Sequence, residues 1–225
     1  VIEDVTHNAI REMFFSQHPD LIMRYTAKSN DPETTRNDLL NLFPLHPGTA
    51  NLATYYATTV GSSSRSVFEF LGDNQAMRDF FEDEIAYANH DTITADYLWD
   101  HVLSALQEDV LNYGVVLDRY HSYQQRAEHA GEATNAVFKS LLLLNAFNNI
   151  ASNKNESPDP NVVPSEENLR ALYEGTKYEP ALDEALQWVN DGVIQRSPDG
   201  LFSVQFAALP SHEVEDLKET LSKRE

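Results

Sequence analysis

Two β-rich runs around a tight turn stand near the end of the chain, in the stretch Val193-Ile194-Gln195-Arg196-Ser197-Pro198-Asp199-Gly200-Leu201-Phe202-Ser203-Val204-Gln205-Phe206. An Asp-Gly pair between β-rich runs is a strong short-range signal for a β-hairpin. The stretch therefore predicts two antiparallel strands joined through Asp199 and Gly200. It decides the fold together with the helices that precede it.

Three helical segments come before this hairpin. The first, over residues 137–150, contains the apolar run Leu141-Leu142-Leu143-Leu144. Ser165 is placed to cap a second helix over 165–174, and a third helix over 179–191 stops at Gly192. Three helices followed by a two-stranded wing are the elements of a winged helix. We predict a winged-helix domain over residues 132–225, with a loop insert near 151–164.

The upstream part, residues 1–131, shows helical spacing of apolar residues and predicts a helical, lid-like domain. Proline ends the first helix after His18 and opens another at Pro47. The spacing predicts one long buried face after residue 94, made by Leu98, Val102, Leu106, Val110 and Leu111. The predicted fold class is therefore mainly α, with a multi-helix domain followed by the winged helix.

The composition narrows the classes of function. The chain has 36 acidic and 16 basic residues among 225, a formal net charge of −20, and this surface repels nucleic acid and anionic membranes. It has no cysteine, which excludes disulfides and thiolate zinc sites and fits a cytoplasmic location. We expect no membrane contact, because no apolar run approaches the ~18 residues that span a bilayer.

Several catalytic and binding motifs are missing. A P-loop needs a Gly-Lys pair, and none of the 8 glycines is followed by lysine, so the chain has no nucleotide cradle of its own. The histidines show no metal-binding spacing, and we expect no metal site, no catalytic residue and no cofactor. The third helix of the predicted winged helix has no lysine or arginine, so direct nucleic-acid binding is not expected.

The chain also carries a specific pair of short motifs. They are Pro44-Leu45-His46-Pro47, which opens a helix, and Arg65-Ser66-Val67-Phe68-Glu69-Phe70-Leu71. Together with the apolar helix and the helices and hairpin after it, these motifs resemble the lid and winged-helix region of large bacterial P-loop ATPases of the AAA type, found in phage-defence loci. Two positions depart from that pattern: Gly48 stands where the family has leucine, and Ser62-Ser63-Ser64 stand where it has Gln-Asn-Glu.

The resemblance implies a non-catalytic lid and winged-helix part of a larger ATPase, which senses and transmits the nucleotide state. Its partner would be the ATPase core, upstream in the same chain or in a neighbouring subunit, and other proteins could bind as well. ATP and magnesium would be cofactors of the parent enzyme, an ATP hydrolase. At the start of a lid helix, Arg65 could reach the γ-phosphate, and His46 could approach a phosphate or base.

Each of these two residues also has a structural interpretation. Arg65 could pair with Glu69 one turn later, and the ring of His46 could bond a nearby carbonyl. Two other functions stay open for the whole chain: a self-standing acidic adaptor that binds proteins through its helices, and a winged-helix DNA-binding regulator.

Overall fold

The computed structural model describes residues 4–27, 29–60, 70–72, 78, 80, 91–153 and 159–204. It is mainly helical, as predicted. The helices are α1 Asp4–Gln17, α2 Pro19–Thr26, α3 Pro32–Asn41, α4 Pro47–Tyr55, α5 Ala95–Glu108, α6 Val110–Ala130, α7 Glu132–Asn153, α8 Glu166–Tyr173 and α9 Leu182–Asn190. A π-helical turn, Tyr56–Val60, continues α4, and a 3-10 turn, Glu179–Ala181, precedes α9.

Helix α7 is the centre of the core, as its apolar run predicts. The four leucines Leu141–Leu144 are fully buried, because the helix is surrounded on several sides. It packs against α5 and α6 on the upstream side and against α8, α9 and the second strand on the downstream side. The hydrophobic core therefore continues across residue 131, where the sequence predicts a domain boundary.

Helices α1 to α4 form the N-terminal part, with boundaries set by proline and short polar caps. Asp31 caps α3 by accepting a hydrogen bond from the backbone N–H of Thr34 at 3.1 Å. Pro19, Pro32 and Pro47 each stand at the first position of a helix, where a missing N–H costs nothing. Helix α4 then packs against both α5 and α8.

The apolar face predicted after residue 94 is correct up to Leu106 and wrong beyond it. Helix α5 ends at Glu108, and Asp109 caps a separate helix, α6, by accepting from the backbone N–H of Asn112 at 3.3 Å. The break rotates the next residues away from the core. Val110 is 61% exposed and Leu111 is 100% exposed.

The C-terminal elements follow in the predicted order. Ser165 caps α8 by accepting from the backbone N–H of Asn168 at 3.1 Å, which confirms its predicted role. The predicted hairpin is a two-stranded antiparallel sheet of Gln195–Arg196 (β1) and Phe202–Ser203 (β2). Each strand has only 2 residues, so the sheet is shorter than the runs in the sequence suggest.

Among the described residues, no helix combines the length and the apolar composition needed to cross a bilayer. Arg65 and the predicted helix around it lie outside these residues, apart from 70 and 71.

Candidate functional site

The segment with the Pro-Leu-His-Pro motif is held on both sides by backbone hydrogen bonds. The N–H of His46 donates to the carbonyl of Ile93 at 3.1 Å, and the N–H of Ile93 donates to the carbonyl of Pro44 at 2.9 Å. Leu45 pairs with Ile93 in a parallel bridge. These bonds fix the start of α4 against the residues that enter α5.

The ring of His46 is fully buried, and both of its nitrogens are bonded within the chain. Nδ1 accepts from the backbone N–H of Gly48 at 3.1 Å and thereby caps α4. The proton therefore sits on Nε2, which donates to the carbonyl of Glu174 at 3.0 Å. One imidazole thus joins α4 to the C-terminal end of α8.

The environment keeps this imidazole neutral. Burial lowers the pKa of His46 to about 4, since a charge on the ring would have no water to solvate it. The bond to the carbonyl of Glu174 opposes this shift, and the nearby His18 adds to it. A neutral ring fits its contacts, because a protonated ring could no longer accept from Gly48.

Gly48 allows α4 to approach its neighbours closely. A Cβ at this position would lie 2.5 Å from Cδ2 of Leu172 and 2.8 Å from the hydroxyl oxygen of Tyr25. No larger side chain fits there unless the side chains of Leu172 and Tyr25 shift. The absence of a side chain at Gly48 therefore fits the close packing of α4 against α8 and α2.

Ionic contacts add to the same interface. Arg24 of α2 donates to Oε1 of Glu167 at 2.9 Å and to Oδ1 of Asn168 at 2.5 Å. His18 lies 3.5 Å from a carboxylate oxygen of Glu174. Together with His46 and Gly48, these residues form what we name the His46 junction, which fastens α8 to α2 and α4.

A cleft of about 530 Å³ opens beside the junction. It is lined by His18, Arg24, Glu167, Arg170, Ala171, Glu174, Glu179 and Leu182. Both arginines of the cleft form ion pairs within the chain. Arg24 pairs with Glu167 at 2.9 Å, and Arg170 pairs with Glu166 at 2.9 Å and with Asp183 at 2.7 Å. No group of three or more His, Asp or Glu side chains in the described part of the chain is arranged to hold a metal ion.

A second polar cluster joins α5, α7 and α8. Lys139 lies 2.8 Å from the carboxylate of Asp100, and the hydroxyls of Ser140 and Tyr173 are 2.6 Å apart. Burial raises the pKa of Asp96 above its usual value, with the hydroxyl of Thr94 donating to its carboxylate at 2.5 Å. The first contact joins α7 to α5, and the second joins α7 to α8.

The two residues predicted as nucleotide sensors have different outcomes. His46 lies in the junction, and the bond from its ring to a backbone carbonyl matches the structural interpretation. Arg65 lies outside the described residues, so its role stays a prediction. Sequence reasoning missed Arg24, Glu167 and Glu174, because partners more than 100 positions apart leave no spacing signal.

Strand β1 carries an arginine that is bonded within the chain. This arginine, Arg196, donates to Glu166 at 2.7 Å and to the carbonyl of Gly200 at 3.1 Å, and its guanidinium lies 3.8 Å from the ring centroid of Phe202. The guanidinium of Arg196 therefore binds groups of its own chain.

Comparisons with protein-family models, curated proteins and solved structures find no match for this chain.

Proposed function

We propose that this chain is a non-catalytic lid and winged-helix part of an AAA-type ATPase, which transmits the nucleotide state of an ATPase core. The observation that carries the proposal is the His46 junction. The motif behind the resemblance opens α4, and the ring of His46 in that motif bonds the end of α8, 128 residues further on. A displacement of α4 would therefore be passed to the C-terminal elements.

The order of elements supports the winged-helix part of the proposal. Helices α7, α8 and α9 are followed by the strands β1 and β2, and α7 packs against α8, α9 and β2. Helix α9 takes the place of a recognition helix. Its exposed residues include Asp183 and Glu184, and it has no lysine or arginine. A surface of this charge favours packing on protein rather than on DNA.

Within this proposal Arg65 and His46 have separate tasks. Arg65 would contact the γ-phosphate of a nucleotide bound by the core, where a guanidinium stabilises developing charge. His46 would act inside the chain, because its ring nitrogens are already bonded to Gly48 and Glu174.

The test uses the full-length product of the gene. Arg65→Ala should lower ATP turnover by orders of magnitude, as loss of an arginine finger does, and leave the melting temperature almost unchanged. Loss of a surface pair with Glu69 would instead cost about 0.3–0.5 kcal/mol of stability and no turnover. Steady-state hydrolysis and thermal melting distinguish the two. A full-length protein without a P-loop motif would refute the proposal.

An acidic adaptor is the second candidate, favoured by the net charge of −20 and by the fully exposed Leu111. It predicts that the chain works without an ATPase core. The same full-length sequence decides between the two functions.

A further inference from the structure

Asn168 of α8 contacts two other parts of the chain through one buried side chain. Its Nδ2 donates to the carbonyl of Pro160 and to the carbonyl of Val163, each at 2.7 Å. Its Oδ1 accepts from Nη2 of Arg24, which lies in the last turn of α2. One carboxamide therefore joins α2 to the segment 159–164 that precedes α8.

The same segment holds the wing, the two strands β1 and β2. The carbonyl of Pro164 accepts from the backbone N–H of Phe202 in β2 at 2.8 Å, and the side chain of Phe202 is buried. Within the segment, the side chain of Val162 is fully buried and its N–H donates to the carbonyl of Asp159 at 2.9 Å. Strand β2 is thus bonded to a short segment whose carbonyls are fixed by Asn168.

These hydrogen bonds form a continuous route from Arg24 through Asn168 and the segment 159–164 to Phe202. A buried carboxamide cannot lose one partner cheaply, because a buried polar group without a hydrogen bond is unfavourable. A displacement of α2 that draws Arg24 away would leave Oδ1 of Asn168 unpaired, or it would pull the carboxamide from its two carbonyl partners. Either change reaches the segment that holds β2.

We propose that Asn168 couples the position of α2 to the attachment of the wing. When Arg24 bonds Asn168, the segment 159–164 keeps its shape and holds the N–H of Phe202. When that bond is broken, the wing detaches from the segment more often. The inference deepens the proposed function and rests on it for its purpose, because it supplies a route from the helices at the His46 junction to the wing. The coupling itself needs no nucleotide.

Amide hydrogen exchange of this chain, without nucleotide, measures the attachment of the wing. Arg24→Ala should speed the exchange of the Phe202 N–H about 10-fold, the effect of one lost hydrogen bond of about 1.4 kcal/mol. The amide of the buried Leu142 in α7 serves as the reference for opening of the whole core. The matched control is Glu167→Ala, which removes an ion pair of Arg24 but keeps the bond between Arg24 and Asn168. It should leave the exchange of Phe202 nearly unchanged.

A second variant cuts the route on its other side. Asn168→Asp keeps an oxygen that accepts from Arg24 and removes the N–H groups that bond Pro160 and Val163. The exchange of Phe202 should rise in this variant, and Arg24→Ala added to it should have no further effect on Phe202.

Three results would overturn the coupling: an unchanged exchange of Phe202 in Arg24→Ala, a rise that only follows Leu142, or an equal rise in Glu167→Ala. These results need no folded Asn168→Asp variant. Failure of the exchange test would leave the ATPase proposal standing, whereas a full-length protein without a P-loop would leave the coupling standing.

Discussion

At the residue scale, His46 of the Pro44–Pro47 motif contacts one residue close to it in the chain, Gly48, and one far from it, Glu174. His46 offers two nitrogens with opposite roles, an acceptor for Gly48 and a donor for Glu174. Gly48 contributes by having no side chain, because α8 and α2 occupy the space where a Cβ would lie. A buried neutral ring and an absent side chain both make the junction sensitive to small changes.

Gly48→Ala should destabilise the protein by about 1–3 kcal/mol, because the added methyl group overlaps Leu172 and Tyr25. The control is Gly114→Ala in α6, where the new methyl group meets only a side-chain atom of Val110 at 3.3 Å. That variant should gain up to about 1 kcal/mol from helix propensity. Chemical denaturation of both variants measures the difference, and equal stability would contradict the close packing at Gly48.

His46 should make the stability depend on pH. Its pKa is about 4 when folded, against 6.5 when unfolded, so the unfolded chain binds the proton first as the pH falls. The contribution is complete above pH 6.5 and is lost towards pH 4. We expect the free energy of unfolding to drop by about 2 kcal/mol between pH 7 and pH 5 from this residue.

The matched variant for this measurement is His46→Asn, which keeps a capping oxygen but cannot titrate. Denaturation curves at several pH values should show a shallower pH dependence for the variant than for the parent. Parallel curves would mean that His46 does not titrate as its burial requires.

At the scale of the elements, the break at Asp109 shows how a cap overrides a continuous apolar pattern. The three-and-four spacing runs from Leu98 through Leu111, yet Asp109 can accept bonds from both N–H groups of Asn112, in backbone and side chain. These two hydrogen bonds cap the start of α6, so that α5 ends and α6 begins as a separate helix. Leu111 then meets water instead of the core.

This difference predicts opposite effects for two leucines of the same pattern. Leu111→Lys should leave the melting temperature nearly unchanged, because the side chain is fully exposed. Leu106→Ala should cost about 2–5 kcal/mol, because that side chain is fully buried and its loss leaves a cavity. Thermal melting of both variants is the measurement. A large loss for Leu111→Lys would show that the predicted face continues after all.

At the scale of the molecule, α7 lies in the second predicted domain and packs against helices of both. Its leucines are covered by α5 and α6 from one side and by α8 and α9 from the other. The junction around His46 and the cluster around Lys139 add further contacts across residue 131. The two parts therefore share one hydrophobic core.

A piece comprising residues 132–225 should consequently not fold on its own, because it would expose the face of α7 that packs on α5 and α6. We expect helical circular dichroism without a cooperative thermal transition, whereas the whole chain should melt cooperatively. A sharp transition of the isolated piece would instead support two independent domains.

The sequence by itself determined the local elements. The prolines at 19 and 47, the cap at Ser165, the leucines of α7 and the Asp-Gly turn each act within a few residues, where sterics and hydrogen bonds are set by neighbours in the chain. The tertiary structure decided the rest: the partners of His46 and Arg24, the close packing at Gly48 and the exposure of Leu111. These depend on contacts between residues far apart, which no local spacing records.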